Sequence, residues 1–193
     1  MPYRPRFRKQ LDGSPCQGSN CGCAASAMAS DRAREGRDPG TAYAWPPTPK
    51  EVRRRIQVKF GTGCRPSTFA QNESAVATLY AVDLLPRYNV PWATFRSLVI
   101  GGRGAVAAIS YAVVHGTRFD ACPSFRGGHS VYVNERRASD GAFLVYDPLA
   151  DGRKGYTTAP DWWPASFLQK AMYAYPGTNA GCVHASFTKD TEP

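Results

Sequence analysis

The stretch from Gln10 to Asp31, QLDGSPCQGSNCGCAASAMASD, decides how the chain is read. Three cysteines, Cys16, Cys21 and Cys23, crowd the start of an alanine-rich segment that the pattern predicts to be a helix. Asn20 serves as its N-cap, and Gly36 and Pro39 stop it. A thiol in the first turn of a helix meets unpaired backbone N–H groups and the positive end of the helix dipole, and both favour the thiolate. The segment therefore raises three possibilities for its cysteines: metal ligation, disulfide pairing or nucleophilic attack.

Zinc fits poorly. Structural zinc sites show paired C-x2-C knuckles, whereas here C-x4-C-x-C stands alone and Cys64, Cys122 and Cys182 are isolated in sequence. A disulfide framework is not needed by a chain of 193 residues that is 42% hydrophobic, because that length and content support one packed core. No export signal supplies an oxidising compartment, so the six thiols are expected to be reduced. Nucleophilic chemistry is left, and it needs a base and a group to orient the base.

Both can be found downstream. The runs GGHSVYVNER and GAFLVYDPL alternate in polarity and are separated by a short turn, the pattern of a β-hairpin. His129 stands at the mouth of its first strand and Asp147 at the end of its second, and antiparallel pairing can bring two such positions side by side. Elsewhere the sequence predicts a helix over Lys50–Lys59, with Val52 and Ile56 inward and its arginines in water. It also predicts a helix from Thr68 to Leu84, one near Thr94–Ile100 and a buried strand at Ala105–Tyr111. A last helix begins near Pro164, and GCVHASFTKD adds a closing edge strand. Helices precede strands, which defines an α+β arrangement. The loop from Gly116 to Phe125 lies where it could cover the site, and His115 and His184 read as structural or exposed.

A net charge of +9 invites a nucleic-acid partner. Its arginines are scattered, however, and no stripe or recognition module gathers them, so no specific nucleic-acid binding is expected. No window reaches the roughly 18 apolar residues of a membrane span, and MPYRPRFRKQ lacks the apolar core of a signal peptide. No membrane partner follows. Residues 1–9 read as a basic extended arm and 10–193 as a single domain.

The order of a cysteine helix followed by a His–Asp sheet is the Cys-His-Asn/Asp logic of papain-like folds. NCGCAASAMA resembles the nucleophile helix of the bacteriocin-exporter (double-glycine leader) peptidases, with a small polar residue, Cys, Gly and a small-residue helix ending in Ala-Met. The Gly-His strand, the following strand ending in Asp-Pro, and DWWPASFLQKAM are similar to the rest of that pattern. The whole layout, including QLDG and TPKEVRRR, looks most like peptidase-fold proteins of actinobacterial phages, over roughly Lys9 to Tyr173. The resemblance implies a papain-like cysteine peptidase fold, its nucleophile helix packed on an antiparallel sheet that carries His and Asp. It places Cys21 as nucleophile, His129 as general base, Asp147 as orienting carboxylate and a glutamine as oxyanion donor, with no cofactor or metal.

Cys23 competes with Cys21, since Gln17 to Cys23 has the glutamine-to-cysteine separation of papain. Cys21 is preferred because it directly follows the N-cap, and because Gly22 after it would let a substrate backbone approach. Gln10 and Gln17 both qualify as oxyanion donor, and the RKQLDG context favours Gln10. The implied protein is a phage-encoded, virion or tail-associated hydrolase, made in the host cytoplasm, that acts on a peptide or peptidoglycan-peptide substrate and contacts other virion proteins. The alternative is a structural virion protein that keeps the fold as an assembly module, with DWWP and the Trp45–Pro49 loop as contact surfaces.

Overall fold

The computed structural model describes residues 3–150 and 160–189. Its centre is helix α1 (Cys21–Ala33), in which every residue from Gly22 to Asp31 is buried. An amphipathic stripe would leave one face in water, whereas Ala, Ser and Gly on all sides let neighbours approach from every direction. Helices α2 (Pro49–Phe60) and α3 (Phe69–Tyr80) pack beside it. Thr48 caps α2 by accepting from Glu51 N–H with Pro49 at the first helical position, and Thr68 with Gln71 forms a capping box on α3. Helix α3 ends at Tyr80, short of the expected Leu84, because Ala81 turns into the left-handed region and Leu84 opens a strand.

The other side of α1 lies on a six-stranded antiparallel sheet. Its strands are β1 (Leu84–Pro91), β2 (Ala105–Ser110), β3 (Gly128–Arg136), β4 (Phe143–Tyr146), β5 (Asp161–Trp163) and β6 (Cys182–Thr188), in the order β1-β6-β2-β3-β4-β5. Strand β6 was expected at an edge. It lies instead between β1 and β2, where Ala185 and Phe187 are buried on one face and Ser186 on the other. Strand β2, AVAAIS, is buried on both faces, as its unbroken apolar run requires.

Two cores result. Val106, Ala108, Tyr132, Leu144 and Tyr146 face α1, α2 and α3. Ala105, Ala107, Ile109, Val131, Val133 and Val145 face the opposite way, toward helices α4 (Trp92–Ile100), α5 (Tyr111–Val114) and α6 (Ala165–Tyr173). Trp163, part of the expected contact patch, is buried in the second core. Trp45 donates its indole N–H to the Gly36 carbonyl and packs edge-on against Tyr80. Both side chains are therefore engaged in internal packing.

Residues 3–9 have no regular secondary structure but are fastened down. Arg6 N–H donates to the buried Asp31 carboxylate at 2.6 Å, Arg4 pairs with Glu135, and Asn134 donates to the Tyr3 carbonyl. Gln10 N–H then donates to the Pro148 carbonyl at 2.8 Å, which brings the end of this segment beside Asp147. Among the described residues, no helix is long and apolar enough to cross a membrane.

Two expectations are corrected. Cys16 and Cys64 form a disulfide across 48 residues, where reduced thiols were expected; Cys21, Cys23, Cys122 and Cys182 are free. The arginines of α2 are not all in water either. Arg53 is 3% exposed, and its guanidinium donates to Asn20 Oδ1 and to the carbonyls of Ser19 and Arg65. The physical reason is the unsatisfied chain entering α1, whose carbonyls need a donor where no backbone N–H is available.

Candidate active site

Cys21 is the first residue of α1, preceded by a short 3-10 turn at Gln17–Ser19. Asn20 occupies the N-cap position but makes no side-chain cap. Its amide N–H donates to Ser14 Oγ, and its carbonyl oxygen accepts from Arg53. The half-buried Cys21 thiol is left at the open end of the helix.

Strand β3 supplies the base. Its register against β2 pairs Ile109 with His129 and Ser110 with Gly128, so His129 lies at the end of the sheet next to α1. The imidazole is buried, and its Nε2–H donates to Asp147 Oδ1 at 2.7 Å. The other ring nitrogen, Nδ1, is buried and has no fixed partner. It is the nitrogen left to interact with the Cys21 thiol, which helps raise the His129 pKa. Asp147 follows β4 and accepts two further bonds, from Leu149 N–H at 2.9 Å and from the Tyr111 hydroxyl at 3.2 Å.

The electrostatics act in one direction. Burial pushes the Cys21 thiol up, but the nearby His129 ring and the backbone N–H groups of Ser130 and Gly22 outweigh it and bring the thiol below its ordinary value. For His129, burial disfavours the charged ring, yet the Asp147 carboxylate and Cys21 more than offset that, and its pKa is raised. A lowered thiol facing a raised imidazole favours the thiolate–imidazolium pair.

Cys23 differs. It is fully buried and is pushed up to about 11, chiefly by burial, with Ser67 and Asn72 as weak sulfur contacts at 3.8 Å. A neutral, enclosed thiol of this kind is a small core residue.

Gly22 does not open the helix to a substrate, as its small size suggested. The space of its missing Cβ is filled from within the protein: Asn72 Nδ2 would lie 2.8 Å from such an atom and Ser67 Oγ 3.1 Å. Gln10 is buried, and its Nε2 donates to the Gly18 carbonyl at 3.0 Å, just before the cysteine. Gln17 instead accepts from Gly13 N–H at 3.0 Å and holds the exposed Asp12–Ser14 turn.

The residues from His115 to Phe125 fold against the far side of the base. His115 contacts Asp120 and Arg126, while the Tyr111 and Phe125 rings meet the His129 ring edge-on at 5.2 and 6.0 Å. Burial and the Asp147 charge push the Tyr111 phenol up, which keeps it a donor. Sequence reasoning missed Tyr111. The signal was its position directly after the buried strand that pairs with the histidine strand. Among the described residues, no group of three or more His, Cys, Asp or Glu side chains is arranged to hold a metal ion.

The fold and this geometry can be set beside known proteins. No family model and no curated protein matches the sequence. Among solved structures, the chain is similar in fold to a protein described as a C39-like peptidase from Bacillus anthracis, with a TM-score of 0.50 and 13% identity, covering 97% of this chain and 96% of that one. A second likeness is to UfSP from C. elegans, with a TM-score of 0.48 and 14% identity, covering 97% of this chain but 34% of that one. The fold is that of the papain-like cysteine peptidases.

Proposed function

We propose that the chain is a cysteine peptidase or amidase in which Cys21 is the nucleophile, His129 the general acid–base and Asp147 the group that orients and charges the imidazole. The observation that carries this reading is the buried His129–Asp147 pair at 2.7 Å, with the other imidazole nitrogen free of any fixed partner and the Cys21 thiol, lowered by that ring, at the open end of a buried helix. In the reaction, the Cys21 thiolate attacks the amide carbonyl and the imidazolium gives its proton to the leaving amine. Water, deprotonated by His129, then releases the acid and restores the thiol.

Gln10 completes the site in this reading. An amide nitrogen carries two N–H donors. One is engaged by Gly18, which leaves the other, together with the Cys21 backbone N–H, for the oxyanion. The sequence resemblance to phage proteins supports a virion or tail-associated enzyme, whose substrate is a host wall peptide or a phage protein.

The test is alkylation of the native protein with limiting iodoacetamide over a pH series, mapped by mass spectrometry. Cys21 should react fastest, well below the ordinary thiol range of about 8.5, and His129→Ala should abolish that advantage. Equal rates at Cys21, Cys122 and Cys182, or faster reaction at Cys23, would overturn the assignment.

A further inference from the structure

Cys21 opens α1 and His129 stands at the start of β3, so helix and strand both run away from the candidate site, and each has a far end. Asp31 lies near the far end of the helix, about 15 Å along its axis from Cys21. Asn134 and Glu135 lie near the far end of the strand. Asp31 is 0% exposed, a buried acid that the proposed chemistry does not use. A carboxylate in such a place needs pairing or hydrogen bonds to offset its lost water.

What Asp31 holds is the N-terminal segment. Its Oδ2 accepts the Arg6 backbone N–H at 2.6 Å. Its charge also reaches two neighbouring side chains: the Tyr3 phenol, pushed up by burial and by Asp31, and the Arg8 guanidinium, which burial lowers and Asp31 raises. Two nitrogens of Arg8, Nε and Nη2, are buried without a hydrogen-bond partner, so the carboxylate is the opposite charge that offsets their burial. Tyr3 and Arg4 are seated at the same end of the molecule by Asn134 and Glu135 of β3. Tyr3 also rests on the turn after α1, where a Cβ on Gly36 would lie 2.6 Å from its hydroxyl.

The chain then returns to the site, where Gln10 N–H donates to the Pro148 carbonyl and the Gln10 side chain to the Gly18 carbonyl. Fully extended, the backbone from Arg6 to Gln10 reaches at most about 14 Å, close to the length of helix it runs beside. Little slack is left between the two anchors. Phe7, between them, packs against both cores. A segment anchored at Gln10 alone would lose much conformational entropy to place that side chain, whereas one also anchored at Asp31 has lost it on folding.

From this, and resting on the peptidase reading above, we infer that Asp31 is a positioning residue for acylation: through Arg6 and Arg8 it keeps residues 6–10 stretched along α1, and so holds the Gln10 amide where the oxyanion forms. A carboxylate about three helical turns from the nucleophile then acts on the reaction without touching the substrate. Arg6 offers a way to release the segment without opening the core. Its side chain is exposed, and Arg6→Pro deletes the backbone N–H that Asp31 accepts, in a stretch without regular secondary structure. Arg6→Ala, which keeps that N–H, is the control for the lost charge.

The experiment compares two reactions of Cys21, each followed by mass spectrometry. p-Nitrophenyl acetate acylates the thiolate through a tetrahedral oxyanion, forming a thioester as p-nitrophenolate leaves. Iodoacetamide alkylates it by displacing iodide, with no oxyanion. Asp31→Asn and Arg6→Pro should slow acylation about tenfold or more, toward the roughly 10²- to 10³-fold of a lost oxyanion donor, while alkylation, and both reactions of Arg6→Ala, stay within about twofold of native. In a Gln10→Ala background, Arg6→Pro should cost less than about twofold further. The Gln10 side-chain amide signals in NMR spectra, identified by their absence from Gln10→Ala, should lose exchange protection in Arg6→Pro. Equal slowing of both reactions, native acylation in either folded variant, equal slowing with and without Gln10, or unchanged Gln10 signals overturns the inference. If native Cys21 reacts no faster than Cys122 with either reagent, the peptidase reading falls, and loss of protection at Gln10 in Arg6→Pro still upholds the hold of Asp31 on that side chain.

Discussion

Asp147 holds three donors at once: His129 Nε2–H and Leu149 N–H on one oxygen, and the Tyr111 hydroxyl on the other. Asp147→Asn keeps the shape but removes the charge that raises His129, so the imidazole should titrate lower and the ion pair should weaken. On the proposed mechanism, activity requires Cys21 deprotonated and His129 protonated. It rises with pH through the lowered thiol pKa and falls through the raised imidazole pKa. The variant should move the falling limb to lower pH and reduce kcat/KM by about 10²- to 10⁴-fold; an unshifted limb in the pH–rate profile would remove Asp147 from this role. Gly22 makes a second prediction at this scale. Gly22→Ala places a methyl against Asn72 Nδ2, and overpacking of this kind costs about 1–3 kcal/mol. Asn72→Ala in the same chain should recover part of that loss, a coupling that urea unfolding of the four proteins would measure. Cys21, His129 and Asp147 could be singled out in the sequence because each carries a chemistry and a local flank. Asn72 and Tyr111 could not, since their roles come from contacts 50 and 36 residues away in the chain.

The same limit shows at the level of helices and strands. Capping threonines at α2 and α3 announce themselves locally, and both helices start where Thr48 and Thr68 place them. Strand β6 could be recognised as a strand but not as an interior one, because its neighbours β1 and β2 lie about 80 to 100 residues away and pairing order leaves no local mark. Arg53 is the sharpest case. In a run of three arginines its 3.6-residue phase places it between the inward Val52 and the outward Arg54, and only the chain before α1 decides that it is buried. It joins α2 to the residues that follow each disulfide cysteine, Ser19 and Asn20 after Cys16 and Arg65 after Cys64, through three acceptors. Arg53→Ala strands those acceptors, and a hydrogen bond to a charged group contributes about 1.5–3 kcal/mol net, less where water can reach the acceptor that is left. A net loss of about 3 kcal/mol corresponds to a fall of about 6–12 °C in Tm, to be read by calorimetry. A change under 2 °C would mean that water replaces the guanidinium without cost. Cys21 alkylation should slow in the same variant, because Asn20, which immediately precedes the nucleophile, loses its anchor.

Across the whole molecule, the helical core of α1, α2 and α3 and the second core lie on opposite faces of the sheet, with Phe7 packed against both, and the candidate site lies where α1 meets one end of that sheet. Anything that lets the helical layer shift against the sheet therefore separates Cys21, on the helix, from His129, on the strand. Within that layer, the Cys16–Cys64 disulfide fixes the chain entering α1 against the chain leaving α2. It closes a loop spanning 48 residues that contains all of α1 and α2, and the chain-entropy relation assigns such a closure about 4 kcal/mol of stabilisation. Cys64→Ser should lower the urea-unfolding free energy by up to about that amount, and a reducing agent should lower the native protein to the same level while leaving the variant unchanged. Activity below the unfolding transition is expected to survive, because Arg53 still ties α2 to Ser19 and Asn20 when the sulfur bridge is gone. Loss of Cys21 reactivity in folded, reduced protein would show instead that the covalent tie, and not Arg53, sets the distance between nucleophile and base. Stability and site geometry would then depend on the same bond, and the double variant Cys64→Ser, Arg53→Ala would be no less reactive than Cys64→Ser alone.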